Sequence, residues 1–374
     1  MGTGAVVVFL LLVFVYAATA RALGRIDVTA PIAFVAAGAL LSLGLPELGE
    51  RAQEALTLLT EMTLALILFH DAAQVRPRQI TADRGLMGRL LLIGLPLTIA
   101  AGWLLGRLVF PGMPVLMLLL LAAAVAPTDA GLGAATVLNP VVPVRVRRML
   151  NVESGLNDGL CTPFVLFAIA ALAGEEGLAP RESITSAVTE LAVGILVGVA
   201  VGAAAGILLG WSRRHGFSSR HTRPLAVLVL PLLAYFGAEV AGGNAFVSAF
   251  VAGTAFAGAA TWLEEEESSL ALTEALADPL GFAVWVTFGV IAVPLLVEHV
   301  GWAEVVFAVL ALTLVRMGPV ALALLGTGLR PRTVAFVGWF GPRGLASVVF
   351  TLLAAEALEL DEDLVRVISS ICLT

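Results

Sequence analysis

A chain of 374 residues that is 59% hydrophobic and only 13% charged does not have the composition of a soluble domain, where about a quarter of positions are charged. A formal net charge of −7 argues against nucleic acid as a partner. Two cysteines, Cys161 and Cys372, both in apolar segments, imply no disulfide framework. No nucleotide loop, metal-binding histidine spacing or nucleophile elbow points to an enzyme or a cofactor.

About 20 apolar residues cross the hydrocarbon of a bilayer. In chain order the candidates lie near 4–20, 29–45, 55–73, 90–109, 114–138, 148–173, 184–211, 224–241, 244–262, 276–297, 302–326 and 333–356, and a thirteenth begins near 363 and is cut by the end at Thr374. The first resembles a signal peptide in its "ATA" (18–20), but no Lys or Arg precedes it, which favours a retained helix. The reading is an all-α polytopic membrane protein of about 13 spans, one transmembrane domain over 1–374. The connection "GEEGLAP" (174–180) separates a first repeat of about 1–173 from a second of about 184–374.

Every basic residue other than histidine is arginine. Arg21 and Arg25 follow the first span, Arg76, Arg78, Arg84 and Arg89 the third, Arg145, Arg147 and Arg148 the fifth, and Arg213, Arg214, Arg220 and Arg223 the seventh; Arg330 and Arg332 precede the twelfth. The alternate connections carry mainly acids, among them Glu47, Glu50, Glu54, Glu298 and Glu304. The positive-inside rule then puts the N-terminus outside, in a cell (inner or plasma) membrane. Glu264 to Glu267 break the pattern, because parity puts this acidic loop inside; it reads as a solvated loop or a cation-attracting vestibule.

Two spans are interrupted. "APTDAGLG" (126–133) and "GWFGPRGLAS" (338–347) each put proline and glycines into an apolar helix, and each adds a charge, Asp129 or Arg343. Proline removes a backbone hydrogen bond and clashes with the preceding turn. Broken backbone at membrane depth survives only inside protein or beside a wet cavity. Corresponding broken segments in two halves of a chain point to a transporter's binding site. The expectation is two inverted repeats whose discontinuous helices, near 126–133 and 338–344, cross, with Asp129 offsetting helix N-termini and Arg343 offsetting C-termini.

The sixth span carries "VESGLNDG" (152–159), where each ionised acid costs about 3 kcal/mol to insert at a helix centre. Residues four apart share a helix face, so Ser154 aligns with Asp158, and Glu153 with Asn157. A Glu153–Arg343 ion pair is expected. It leaves Asp158 to bind a proton or a cation in order to resolve its desolvation. Hard monovalent cations favour oxygen ligands, and Thr128, Asp129, Ser154 and Asp158 offer them. Asn157 can hydrogen-bond across the broken segments. Asp71, at the end of the third span, either reaches the ion path or marks the membrane edge, and His70 beside it reads as interfacial. Glu61 and Glu190 have no legible partner, Glu239 and Asn244 flank a helix connection, and Arg316 either neutralises an inward group or snorkels.

Together "APTDA", "ESGLNDG", "GGNAFVSAFVAG" (242–253) and "WFGPRG" (339–344) resemble, in order and spacing, the sodium/proton antiporters of the NhaP type, relatives of the animal sodium/hydrogen exchangers. The resemblance covers essentially the whole chain. It implies that Asp158 binds ion and proton, with Asn157 before it. It also implies that Thr128 and Asp129 belong to the unwound helix, that Ser154 coordinates the ion, and that Glu153 and Arg343 form the intramembrane pair. Thirteen spans, a homodimer, and a six-helix core moving against a dimerisation domain are implied as well. Ala130 departs from the family, many members of which have proline there, and the chain stops about halfway through the last expected span.

The expected function is one-for-one, electroneutral exchange of Na+ (with Li+ or K+ as further candidates) for H+ by alternating access, Asp158 crossing with either guest but not empty. Competition near neutral pH would need that carboxyl well above its ordinary value of about 3.9. The rivals are a sodium-coupled organic-anion symporter of similar architecture, a K+-selective cation/proton antiporter, a membrane sensor lacking a signalling domain, and a cation channel, for which no filter-like repeat is visible.

Overall fold

Backbone amides within hydrocarbon have no water to bond, so an apolar chain closes its hydrogen bonds inside helices. The computed structural model describes residues 3–44, 47–75, 83–129, 132, 141–174, 180–264 and 266–374, and the described residues form helices and turns without a strand. Ala130, Arg76 and Arg78, residue 265 and most of the 174–180 connection lie outside the described residues.

The first half carries α1 (Thr3–Leu23), α2 (Ala30–Gly44), α3 (Glu47–Gln74), α4 (Arg84–Val109), α5 (Val115–Ala124) and α6 (Val144–Ala173). The second carries α7 (Pro180–Arg214), α8 (Thr222–Val240), α9 (Ala245–Ala259), α10 (Ala271–His299), α11 (Trp302–Ala323), α12 (Pro331–Trp339), α13 (Leu345–Ala357) and α14 (Glu362–Cys372). Among the described residues, 7 helices are long and apolar enough to cross a membrane, and α2, α5, α9 and α13 are shorter apolar helices. The outward faces are greasy: Phe14, Leu40, Leu92, Leu108 and Leu196 are exposed.

The helices pack in two groups that cut across the sequential halves. α1, α2 and α3 gather with α7 to α10, and α4, α5 and α6 with α11 to α14. The groups meet where α3 touches α6 and α13, α7 and α9 touch α6, and α10 touches α13 and α14. Tyr16, Phe34 and Phe282 pin α1 to α2 and α10, the two phenylalanine rings stacked at 4.5 Å. Inside the first group, α7 lies against α9 along glycines at four-residue spacing.

Two helices carry a π-helical turn, Leu90–Gly94 in α4 and Ala311–Val315 in α11. Such turns shift the register of every side chain beyond them and recur at functional positions. The acidic loop at 264–267 has a structural partner: Glu266 binds Arg213 at 3.3 Å and the buried Arg223 at 3.1 Å, tying the ends of α7, α8 and α9 together. The acid that broke the charge pattern thus meets the basic residues of the same side.

Candidate functional site: a crossing of two broken helices

α5 stops at Ala124 and the chain runs on without helix through Asp129, while α12 stops at Trp339 and α13 starts at Leu345. The two irregular stretches hydrogen-bond each other, the Asp129 amide donating to Pro342 O at 2.8 Å. Each contributes the compensation that its helix ends need. A helix C-terminus leaves carbonyls without donors. Arg343 donates from Nη1 to Pro127 O at 3.1 Å, just past α5, and from Nη2 to Ala311 O at 3.5 Å, on the π turn of α11. Asp129 does the converse at the positive end of α13. Its side chain packs on the cap residue Gly344, where an added Cβ would stand 2.4 Å from Asp129 Cβ and 2.7 Å from Oδ2. Only glycine leaves room for that carboxylate.

α6 supplies the rest. Asn157, buried, donates through Nδ2 to Thr128 Oγ1 at 2.8 Å and to Thr128 O at 3.3 Å, fastening α6 to the first broken segment. Asp158, one residue on, is buried, and its backbone carbonyl accepts from Thr162 Oγ1 at 2.8 Å. The charges within electrostatic reach of its carboxyl include two more acids, Asp71 and Asp129. Among the described residues Asp158 forms no ion pair. Ser154, half-buried, lies one turn earlier on the same face.

The expected Glu153–Arg343 pair is corrected. Glu153 Oε1 binds Arg316 Nη1 at 2.6 Å, with both side chains almost wholly buried. Arg316 directly follows the π turn of α11, which sets it facing α6, and Arg343 is already engaged with carbonyls. Of the two readings open for Arg316, neutralising an inward group is the one observed. The sequence carried a signal for it, a lone arginine inside an apolar run, but helical counting across the span could not show which way it pointed.

Asp71 is brought to the site. α3 presses on α6 there, so that a Cβ at Gly155 would meet Asp71 O at 3.1 Å and Val75 Cγ2 at 3.0 Å. Thus α3, in one helix group, presents an acid to Asp158, in the other. His70 is buried and contacts Gln74. Other polar residues that stand out in the sequence lie elsewhere: Glu61 is hydrogen-bonded to Tyr235 of α8, Glu190 accepts from Ser186 at 2.9 Å, and Asn244 caps α9 through Val247 N at 3.0 Å. Among the described residues no three His, Cys, Asp or Glu side chains stand close enough to hold a metal ion unaided. Any cation here must be shared with hydroxyl and carbonyl oxygens.

A buried acid at the crossing of two interrupted helices, in a bundle with apolar outer faces, defines the broken-helix class of membrane transport proteins. Residues 8–374 match the family model described as sodium/hydrogen exchanger, transmembrane, and the chain belongs to that family. It is 29% identical over 287 residues to a Na(+)/H(+) antiporter of Schizosaccharomyces pombe, an alignment covering 70% of this chain and 60% of that one. It is 26% identical over 326 residues to a Na(+)/H(+) antiporter of Saccharomyces cerevisiae, covering 80% of this chain and 32% of that one. The chain therefore spans less than two thirds of either yeast relative. The fold is shared with the sodium proton antiporter MjNhaP1 of Methanocaldococcus jannaschii at pH 8, with a TM-score of 0.80 at 16% identity over 99% of this chain and 93% of that one. A second structure of MjNhaP1 gives 0.76 at 17% identity.

Proposed function

We propose that the protein exchanges Na+ for H+ across the cell membrane, one for one, with Asp158 taking either ion. The observation that carries this reading is a buried carboxyl set at the helix crossing among further acids, while both nearby arginines are committed elsewhere. An ionised acid in that position demands a positive guest, and a proton or a monovalent cation satisfies it equally in charge but not simultaneously.

Thr128, Asp129 and Ser154 supply the other oxygens for the cation, which as a hard ion prefers them. Asp71 borders the path from the facing group of helices. Asn157 holds Thr128 in place, and Glu153 with Arg316 fixes α6 against α11, so those residues position the site rather than load it. Arg343 steadies the broken ends of α5. Alternating access follows if α4 to α6 with α11 to α14 move against the other group, since the contact between them runs through α3, α6, α7, α9, α10, α13 and α14. An empty Asp158 would carry an uncompensated charge through a low-dielectric region, so only loaded forms cross. One guest per acid moves no net charge in a cycle. A homodimer, two inverted repeats and an outside N-terminus complete the proposal, supported by the family's sequence pattern and the arginine distribution. Li+ and K+ remain the alternative cargoes within the same chemistry.

Purified protein in proteoliposomes with an internal pH dye tests this. A sodium gradient should drive proton movement that persists when the voltage is held at zero, with no potential generated. A steady transport current would overturn the one-for-one stoichiometry, and a sodium-independent pH response would overturn the exchange itself.

A further inference from the structure

Thr273, Ser369 and Ser370 leave their buried hydroxyls unpartnered, whereas several others in these helices bond the carbonyl four residues back, as Thr98 does to Gly94 O at 2.9 Å, Thr162 to Asp158 O at 2.8 Å and Thr351 to Ser347 O at 2.8 Å. Ser347 does not. It is 2% exposed and its Oγ has no partner. The reason is positional: Ser347 is the third residue of α13, so the carbonyls three and four residues back belong to Gly344 and Arg343, outside the helix.

What lies beside it is the candidate ion site. Side chains in a helix lean toward its N-terminus, and positions three apart are neighbours about 5–6 Å apart at Cβ. Ser347 is three residues from Gly344, and the Cβ position of Gly344 lies 2.7 Å from Asp129 Oδ2. The other side of the helix is accounted for. Leu345 touches Gly281 of α10, and Ser347 lies about 200° further round. Ser347 therefore lies at the same end of α13 as the carboxylate of Asp129, its hydroxyl unbonded.

We propose that Ser347 Oγ is a further cation-binding oxygen, contributed by the second broken span to the site formed by Asp129 and Asp158. A hydroxyl suits the place because, unbonded as it stands here, it offers a lone pair when a cation enters. The cation is then held between both interrupted helices, so its binding would couple α13 to α5 and α6. The inference rests on the exchanger reading above.

The test is sodium-driven exchange in dye-loaded vesicles across pH for the wild type, Ser347→Ala, Ser347→Cys and Asp158→Asn, with melting temperatures as a control on folding. Cysteine restores the heavy atom that alanine removes, slightly enlarged, but replaces a hard oxygen with soft sulfur. Both Ser347 variants should raise the sodium KM roughly tenfold at unchanged maximal rate, the factor one lost polar contact is worth. Because protons compete with sodium, the acid limb of the profile should then move up to about one unit alkaline. A KM within twofold of wild type in both variants overturns the proposal. So does a defect in Ser347→Ala that Ser347→Cys repairs, which would mean packing alone. Silence of Asp158→Asn beside wild-type behaviour at Ser347 removes only this oxygen, whereas exchange retained by Asp158→Asn removes the underlying reading.

Discussion

Two glycine-lined contacts in this molecule do opposite work. On α7, Gly194, Gly198 and Gly202 bring the helix so close to α9 that added Cβ atoms would stand 2.5, 2.5 and 2.2 Å from Asn244 O, Ser248 O and Ala252 O, and Gly206 continues the row against Ala259. Backbone meets backbone along the row, and the Asn244 amide donates to Glu190 O at 2.8 Å at its end. At the crossing, Gly344 instead makes room for a side chain, the carboxylate of Asp129. In lipid, where apolar contacts between helices gain little over contacts with acyl chains, the first arrangement holds helices together by close packing. The second leaves them joined by a few hydrogen bonds, which can change partners. The proposed alternating access would use both, a rigid wall and an adaptable centre.

Substitutions should separate the two regions by readout. The largest effect is expected at the wall: Gly202→Leu forces a bulky side chain into the backbone of α9, and folded protein should be lost, as measured by monodisperse yield after extraction. Normal yield would mean that α7 and α9 are not packed this way. Next comes Glu153→Gln, which leaves Arg316 buried without its counter-charge and should cost about 3–5 kcal/mol, seen as a lowered melting temperature. Unchanged melting would remove the Glu153–Arg316 pair.

Gly344→Ala sharpens the comparison, because its collision is with the single residue Asp129, at Cβ as well as Oδ2, on a non-helical stretch of chain. The protein should fold, while exchange falls by roughly tenfold as Asp129 is pushed from the end of α13. Loss of fold rather than of rate would make the crossing as rigid as the wall. The smallest effect is expected from Asp71→Asn: a rise of a few-fold in the sodium KM with the maximal rate retained, since Asp71 borders the site without belonging to the crossing. A silent variant would restore Asp71 to the membrane edge.

The crossing was legible because its residues are expensive where they stand. Asp129, Asn157, Asp158, Arg343 and the prolines and glycines around them are conspicuous in apolar runs, and helix-end electrostatics assign Asp129 and Arg343 their ends. What stayed illegible depended on register and on the third dimension. The π turn at Ala311–Val315 re-aims Arg316, so the partner of Glu153 could not be counted from the sequence. The approach of Asp71 depends on how α3 lies on α6. The grouping of α1 to α3 with α7 to α10 crosses the two halves that the 174–180 connection suggests. The four-residue spacing from Gly194 to Gly206 takes its meaning only from the helix that fills it.

The account depends most directly on one carboxyl. Asp158→Asn, reconstituted at wild-type yield and melting temperature, should show no sodium-driven pH change above protein-free liposomes at any pH, because an amide takes up no proton and offers a cation no counter-charge. Exchange by that variant at a sizeable fraction of the wild-type rate would place the ion elsewhere.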